Sequence, residues 1–278
     1  MDKGYEQFCL ADPVFYDSAT VTRGDDVDFE LARRPVPEGW ERFELDDWLV
    51  YQPKGIELPA QGWKIHASAS MASAEQVLAA VWDYCTARGI AFKFVRSRSY
   101  VFLRNMKYAH RGSSGKFITI YPLDEQELET VLTELGAILD GQPGPYILSD
   151  LRWGRGPLYV RYGGFAERYC VGADGELALA IADADEQLIP DRRDAAFHVP
   201  PWVSLPAFLA PHLEARNSTT LAHLPYDVER PLHFSNGGGV YAGVDRRSGE
   251  QVVLKEGRPF AGLAIDEADA VTRLQRER

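Results

Sequence analysis

The sequence predicts an α+β domain, with helices packed on a mixed β-sheet, followed by a second, incomplete unit. Three observations carry this. Strand-like runs and helical stretches follow one another as strand, helix, strands, helix, strands. Both helical stretches open on a capping pattern and close on a glycine. From about residue 231 the pattern changes, to a glycine-rich turn between short β-rich runs.

Residues 41–51 (ERFELDDWLVY) read as one strand and residues 63–69 (WKIHASA) as another, with alternating character. Ser73 opens a helix, with Gln76 three residues on completing a capping box. Val77, Leu78, Val81, Tyr84 and Cys85 share one face of it, and Gly89 stops it. Two short β-rich runs follow, 91–95 (AFKFV) and 99–103 (SYVFL), then a turn-rich link from His110 to Gly115 and the strand KFITIY at 116–121. Pro122 ends that strand, and Asp124 with Glu127 forms a second capping signature. The next helix buries Leu128, Val131, Leu132, Leu135, Ile138 and Leu139 and ends near Gly141. Residues 158–162 and 177–182 read as strands, and the proline-rich stretch 186–230 as an irregular closing segment and linker.

The 278 residues are enough for one large domain and part of another. The composition, 45% hydrophobic and 26% charged, is that of an ordinary globular protein. No apolar run approaches the roughly 20 residues that span a bilayer. The start, MDKGYEQFCLADP, has neither the basic nor the apolar stretch of a signal peptide. Cys9, Cys85 and Cys170 are odd in number and widely spaced, which reads as reduced thiols in a cytoplasmic protein.

The net charge of −11 disfavours nucleic acid and anionic membrane as partners. Yet seven basic residues, Lys93, Arg96, Arg98, Arg104, Lys107, Arg111 and Lys116, lie between Phe92 and Leu123 with no acid among them, and four more arginines follow in 152–168. Such clustering in an acidic chain reads as an anion-binding surface or as a solvated basic face. Lys64 and His66, two apart on a strand, point to one side. Lys93, between Phe92 and Phe94, is either an edge-protecting charge or a desolvated, functional amine. No His, Asp or Glu cluster has metal-ligand spacing, so no metal is expected.

Read together, these residues resemble the phosphothreonine lyases that enteric pathogens inject into host cells. Lys64-Ile65-His66-Ala67-Ser68 is similar to their Lys-aromatic-His-Ile-Ser motif, and Lys93 matches their lysine base. Arg111 precedes Tyr121 by ten residues, and Arg161 and Arg168 stand seven apart, both separations of that family. The likeness covers about residues 60–170, with the interval from His66 to Lys93 a few residues shorter. It implies a cofactor-free β-elimination that removes phosphate from a phosphorylated Ser or Thr and leaves a dehydroamino acid. In that chemistry Lys93 takes the α-proton, His66 protonates the departing oxygen, and Tyr121 assists. Lys64, Arg111, Arg161 and Arg168 bind the phosphate. Arg168 also reads as an ion pair with Glu167, Tyr121 as a core aromatic, and Lys116, Lys107 and Arg104 as substitute phosphate ligands.

Gly237-Gly238-Gly239-Val240-Tyr241, then Val252-Val253-Leu254-Lys255, resemble the first strands of a protein kinase. That likeness makes Lys255 the nucleotide lysine and Glu277 its helix partner. The catalytic-loop and metal-binding motifs do not follow, so ATP and Mg²⁺ belong to an intact parent kinase only. A lyase-like stretch ahead of a kinase resembles the class III lanthipeptide synthetases, which phosphorylate, dehydrate and cyclise a ribosomally made precursor peptide. The division expected is 1–225 for the lyase domain and 226–278 for the opening of a kinase N-lobe. The parent's remaining kinase and cyclase domains would be partners. A different class of reading is a phosphopeptide or leader-peptide binding module, which needs the arginines but neither Lys93 nor His66. Nucleic-acid binding through 92–116 is opposed by the net charge.

Overall fold

In a computed structural model, residues 27–173, 175–218 and 223–277 are described. Cys9 and the N-terminal segment read for a signal peptide lie outside them. A short helix α1 (Glu30–Arg33) precedes a hairpin of β1 (Trp40–Leu45) and β2 (Trp48–Pro53). Then come β3 (Gln61–Ala67), α2 (Ala74–Arg88), β4 (Phe92–Val95), α3 (Arg98–Asn105), β5 (Ile118–Ile120) and α4 (Glu125–Ile138). The strands β6 (Leu151–Arg152) and β7 (Leu158–Gly164) complete a seven-stranded sheet in the order β1-β2-β4-β5-β3-β7-β6. The strands β8 (Tyr169–Val171), β9 (Leu177–Ala182) and β10 (Leu188–Pro190) form a small second sheet, and α5 (Ala210–Asn217) packs near β6.

The α+β class holds, but every pairing in the large sheet is antiparallel, not mixed. The crossover through α2 sets β4 two places from β3, and β5 runs back between them, pairing antiparallel with both. The run 41–51 is a hairpin rather than one strand. Asp46 takes a left-handed φ of 52° at its turn, and Leu45 faces Trp48 across it. The run 99–103 is helical, not extended. Ser97 caps α3, and the side chain of Asn105 bonds the Val101 carbonyl one turn back at 2.9 Å.

Alternation gives the large sheet two unlike faces. Leu49, Tyr51, Ile65, Phe92, Phe94, Ile118, Ile120, Leu158 and Val160 point to one side. There they pack with Val77, Leu78, Val81 and Trp82 of α2 and Leu128, Val131, Leu132 and Leu135 of α4 in one core. Tyr51 stacks on Phe92 and Phe94 at 5.6 and 5.8 Å and meets the edge of Trp82 at 4.8 Å. Such pairs contribute roughly 0.5–1.5 kcal/mol each beyond the burial of area. The capping signature at α4 forms: Asp124 Oδ1 accepts from the Glu127 N–H at 2.8 Å, and the Glu127 carboxylate accepts from Leu123 N–H at 2.7 Å. Ser73 makes no such cap. Its hydroxyl donates to the Pro143 carbonyl instead, tying the start of α2 to the loop after α4. Ile138, expected inside, is exposed. Among the described residues no helix is long and apolar enough to cross a membrane. Cys85 is buried and Cys170 half-buried, both unbridged.

The C-terminal residues form a three-stranded antiparallel sheet, β11 (Tyr226–Ser235), β12 (Gly238–Asp245) and β13 (Gln251–Lys255), and a helix α6 (Ala270–Arg276). This unit is fastened to the segment after α3. Leu263 donates to the Asn105 carbonyl at 2.9 Å, and its own carbonyl accepts from Lys107 N–H at 3.1 Å. Asn236 Nδ2 donates to the Met106 carbonyl at 3.0 Å.

Candidate active site

Cross-strand register determines which side chains share the other face of the large sheet. Lys93 on β4 stands opposite Thr119 on β5, Thr119 opposite His66 on β3, and His66 opposite Tyr159 on β7. Two pairs along, and so on the same face, Lys64 stands opposite Arg161. Directly opposite residues in a sheet project to the same side. Lys64, His66, Lys93, Thr119 and Arg161 therefore converge, on the side away from α2 and α4, in a cleft of about 260 Å³. Tyr121, just past the end of β5, lines it too, as do Trp48, Arg104, Lys116 and Arg193.

His66 is the best supported of these side chains. Its Nδ1 lies 2.5 Å from Oδ2 of Asp150, a fully buried carboxylate. The Ser149 hydroxyl donates to the other Asp150 oxygen at 2.5 Å, and Lys116 Nζ lies 3.7 Å from it. Asp150 is held well below the usual carboxylate range by these partners. Burial draws the His66 imidazole down to about 3, against the pull of Asp150. The neutral ring thus donates Nδ1–H to Asp150 and keeps Nε2 for the cleft.

Lys93 has its Nζ 4.7 Å from the centre of the Trp48 ring, and the Arg104 guanidinium lies 4.4 Å from the same ring. Asp47, at the β1–β2 turn, anchors Arg104 at 2.5 Å. Burial first, then the cations of Arg193 and Arg104, bring the Lys93 amine down to about 8. Lys64, 5% exposed, donates to the Gly164 carbonyl at 2.5 Å. Its amine is pushed well below its ordinary value by burial and by Arg161. Tyr121 meets Phe165 edge-on at 5.0 Å, and burial raises its phenol. Gly163 has to be small: a Cβ there would come within 2.9 Å of Arg161 Nη1 and 3.2 Å of Lys64 Cε.

Five of the seven residues singled out from the sequence, Lys64, His66, Lys93, Tyr121 and Arg161, thus line one cleft. Two do not. Arg111 points away, its guanidinium 4.4 Å from the ring of Phe234 on β11. Arg168 hydrogen-bonds Gln61 Oε1, and its carbonyl accepts from Ala180 N–H, so it ties β8 and β9 to β3. Asp150, Asp191 and Arg193 were not singled out. Asp191 pairs with both Arg161 and Arg193, and all three acids and bases come from stretches without periodic pattern. The only signal available for Arg193 was charge, in the run Asp191-Arg192-Arg193-Asp194.

A second, smaller cleft of about 170 Å³ brings together Gly237, Gly238, Gly239, Lys255 and Glu277. Lys255 Nζ lies 2.5 Å from the Glu277 carboxylate. Among the described residues no group of His, Cys, Asp and Glu is arranged to ligate a metal ion.

A family model described as RamC, N-terminal domain, matches residues 28–219. The chain is also 55% identical, over 282 aligned positions, to the protein described as "Probable SapB synthase" in Streptomyces coelicolor (strain ATCC BAA-471 / A3(2) / M145). That alignment takes in 100% of this chain and 30% of the relative, so the chain spans 30% of the length of the curated relative it matches. Among solved structures, three that this chain is similar to each give a TM-score of 0.33. The VirA (SpvC) phosphothreonine lyase effector of Chromobacterium violaceum is 18% identical over 50% of this chain and 74% of that one. The effector OspF from Shigella flexneri is 15% identical over 58% and 86%, and the Salmonella plasmid virulence C protein 18% identical over 54% and 78%. The synthetase resemblance drawn from the motifs is borne out at the level of family, for the chain belongs to the RamC N-terminal-domain family.

Proposed function

We propose that this chain is a phosphoserine/phosphothreonine lyase that eliminates phosphate from a precursor peptide during lanthipeptide biosynthesis. The observation that carries the proposal is the row Lys93, Thr119, His66 across three adjacent strands. Two strand spacings put the lysine and histidine backbones about 10 Å apart. That gap suits one phosphorylated side chain between a base and an acid.

Neutral Lys93 takes the proton from Cα of the phosphorylated residue. The electron pair left on Cα forms the Cα=Cβ bond, and the Cβ–O bond to phosphate breaks. His66 gives a proton from Nε2 to the departing oxygen, and Asp150 balances the imidazolium beforehand. The free site keeps His66 neutral, so the phosphate dianion itself must raise the imidazole to its acidic form. Lys64 and Arg161 lie two register pairs away on the same face, where they hold that dianion. Lys93 becomes an ammonium that solvent deprotonates, and His66, left as a neutral imidazole, takes up its next proton as the next phosphate arrives.

The C-terminal strands fit the opening of a kinase N-lobe, with the Lys255–Glu277 ion pair as its support. On that reading the lyase domain is 1–225, the N-lobe portion begins at 226, and ATP with Mg²⁺ serves the parent kinase. The kinase would phosphorylate the precursor peptide and a cyclase would use the dehydroamino acid.

The test is to incubate the protein with a phosphoserine peptide, without ATP and with a chelator, and then add a thiol. A product that has lost the elements of phosphoric acid and captures the thiol supports elimination. A serine product, inert to thiol, makes the chain a phosphatase. Binding without turnover makes it a recognition module.

A further inference from the structure

The segment after β10 carries a device that the motif pattern does not contain. Asp191 is almost wholly buried, its side chain 2% exposed, and its two oxygens serve two arginines. Oδ1 accepts from Arg161 Nη2, while Oδ2 accepts from Nε and Nη2 of Arg193 at 3.3 and 3.2 Å. Arg161 Nη2 also donates to the Arg192 carbonyl at 2.6 Å. Asp191 N–H donates to the Leu179 carbonyl at 2.7 Å. Three contacts thus fix the backbone of 191–193 against β7 and β9. On the opposite wall Gly112 lets this segment close in, since a Cβ there would come within 2.2 Å of the Arg193 carbonyl.

The guanidinium so delivered differs from its neighbours. Arg193 lines the cleft beside Lys64, Lys93 and Tyr121, yet its side chain is 46% exposed, whereas that of Arg161 is 6% exposed. Arg161 is locked; Arg193 has room to move. Its carboxylate partner Asp191 is shared with Arg161, so Arg193 can leave it without stranding an unpaired buried charge. Arg168, by contrast, is spent on Gln61 outside the cleft.

We propose that Arg193 is the second arginine of the phosphate clamp, and that Asp191 holds it in readiness. As a phosphomonoester arrives, Arg193 exchanges Asp191 Oδ2 for a phosphate oxygen, while Oδ1 keeps Arg161 in place. The exchange trades one charge-assisted, forked contact for another, so the clamp closes at little cost. This inference rests on the lyase reading for the nature of the ligand. It differs from it in assigning the grip to a loop arginine rather than to Arg168.

The test compares Arg193→Gln, Arg193→Lys and Arg168→Gln in the whole chain, with inorganic phosphate as a calorimetric probe and a phosphoserine peptide as substrate. Loss of one charge-assisted, forked contact should weaken phosphate binding ~10- to 100-fold in Arg193→Gln. KM should rise by a similar factor, with partial recovery in Arg193→Lys, and Arg168→Gln should stay within about threefold of the parent in both. A parent that eliminates phosphate while Arg193→Gln keeps its phosphate affinity and KM overturns the inference and leaves the lyase reading standing. An equal loss in Arg168→Gln also overturns it. A parent that neither binds phosphate nor turns over the peptide removes both. Arg193 is half-exposed, and matching thermal unfolding of the variants shows whether any loss is local.

Discussion

Lys93→Met tests whether the amine is held in an environment hostile to its charge. Its amine stands at about 8 in the folded chain against an ordinary 10.5. Between those values the unfolded chain binds more protons than the folded one, so stability rises with pH through the window and the penalty is fully present below pH 8. At 1.36 kcal/mol per unit, the charged lysine costs the fold about 3 kcal/mol at pH 7. Methionine keeps most of the stem beside Trp48 and removes the charge. The variant should therefore be more stable than the parent by ~2–3 kcal/mol at pH 7, and by little above pH 10. It should also form no dehydroamino acid. Denaturant unfolding at pH 7 and pH 10.5, with mass spectrometry of the peptide product, measures both. A variant less stable than the parent at pH 7, or one offset by the same amount at both values, would refute the desolvation argument. In the parent, about a tenth of Lys93 is neutral at pH 7. With bound phosphate holding His66 protonated, the rate at saturating substrate should rise with pH as Lys93 loses its proton and then level.

Three further outcomes follow from the same geometry. Asp150→Asn removes the charge that supports the His66 imidazolium, so elimination should fall by ~10²- to 10⁴-fold. Saturating phosphate should protonate His66, read by NMR of its ring, in the parent and not in this variant. Gly163→Ala places a Cβ 2.9 Å from Arg161 Nη1, so it should weaken inorganic phosphate binding with little change in secondary structure by circular dichroism. Asn236→Ala leaves the Met106 carbonyl without its side-chain donor, at a cost of roughly 1–3 kcal/mol. Amide exchange across residues 106–116 should quicken in that variant, because the C-terminal sheet no longer pins the cleft wall.

The parts of the fold written in local periodicity were legible. The faces of α2 and α4, the Gly89 stop and the alternation of β3 and β4 are repeating patterns that need no partner to define them. From that alternation alone Lys64 and His66 fall on one side. Their convergence with Lys93 was not visible, because β5 lies between β3 and β4 in the sheet and pairing order is a long-range property. The error at 99–103 has a local cause: Tyr-Val-Phe-Leu has β propensity, and tertiary burial of Val101 with the Ser97 cap overrides it. Spacing misled at Arg111 and Arg168. A separation of ten or seven residues is kept here, but Phe234 takes one guanidinium and Gln61 the other. Asp150, Asp191 and Arg193 sit in loops, where no period marks a residue and only contact reveals it. The stretch 186–230, read as a linker, supplies β10, α5 and the arginine that faces the cleft.

The central claim is that a bond to the α-hydrogen breaks, and a phosphoserine peptide carrying deuterium at Cα tests it most directly. Elimination with Lys93 as base predicts a product that has lost the label together with phosphate, and a rate slowed severalfold relative to the protiated peptide. A product that sheds phosphate but keeps its deuterium, at an unchanged rate, would contradict the account.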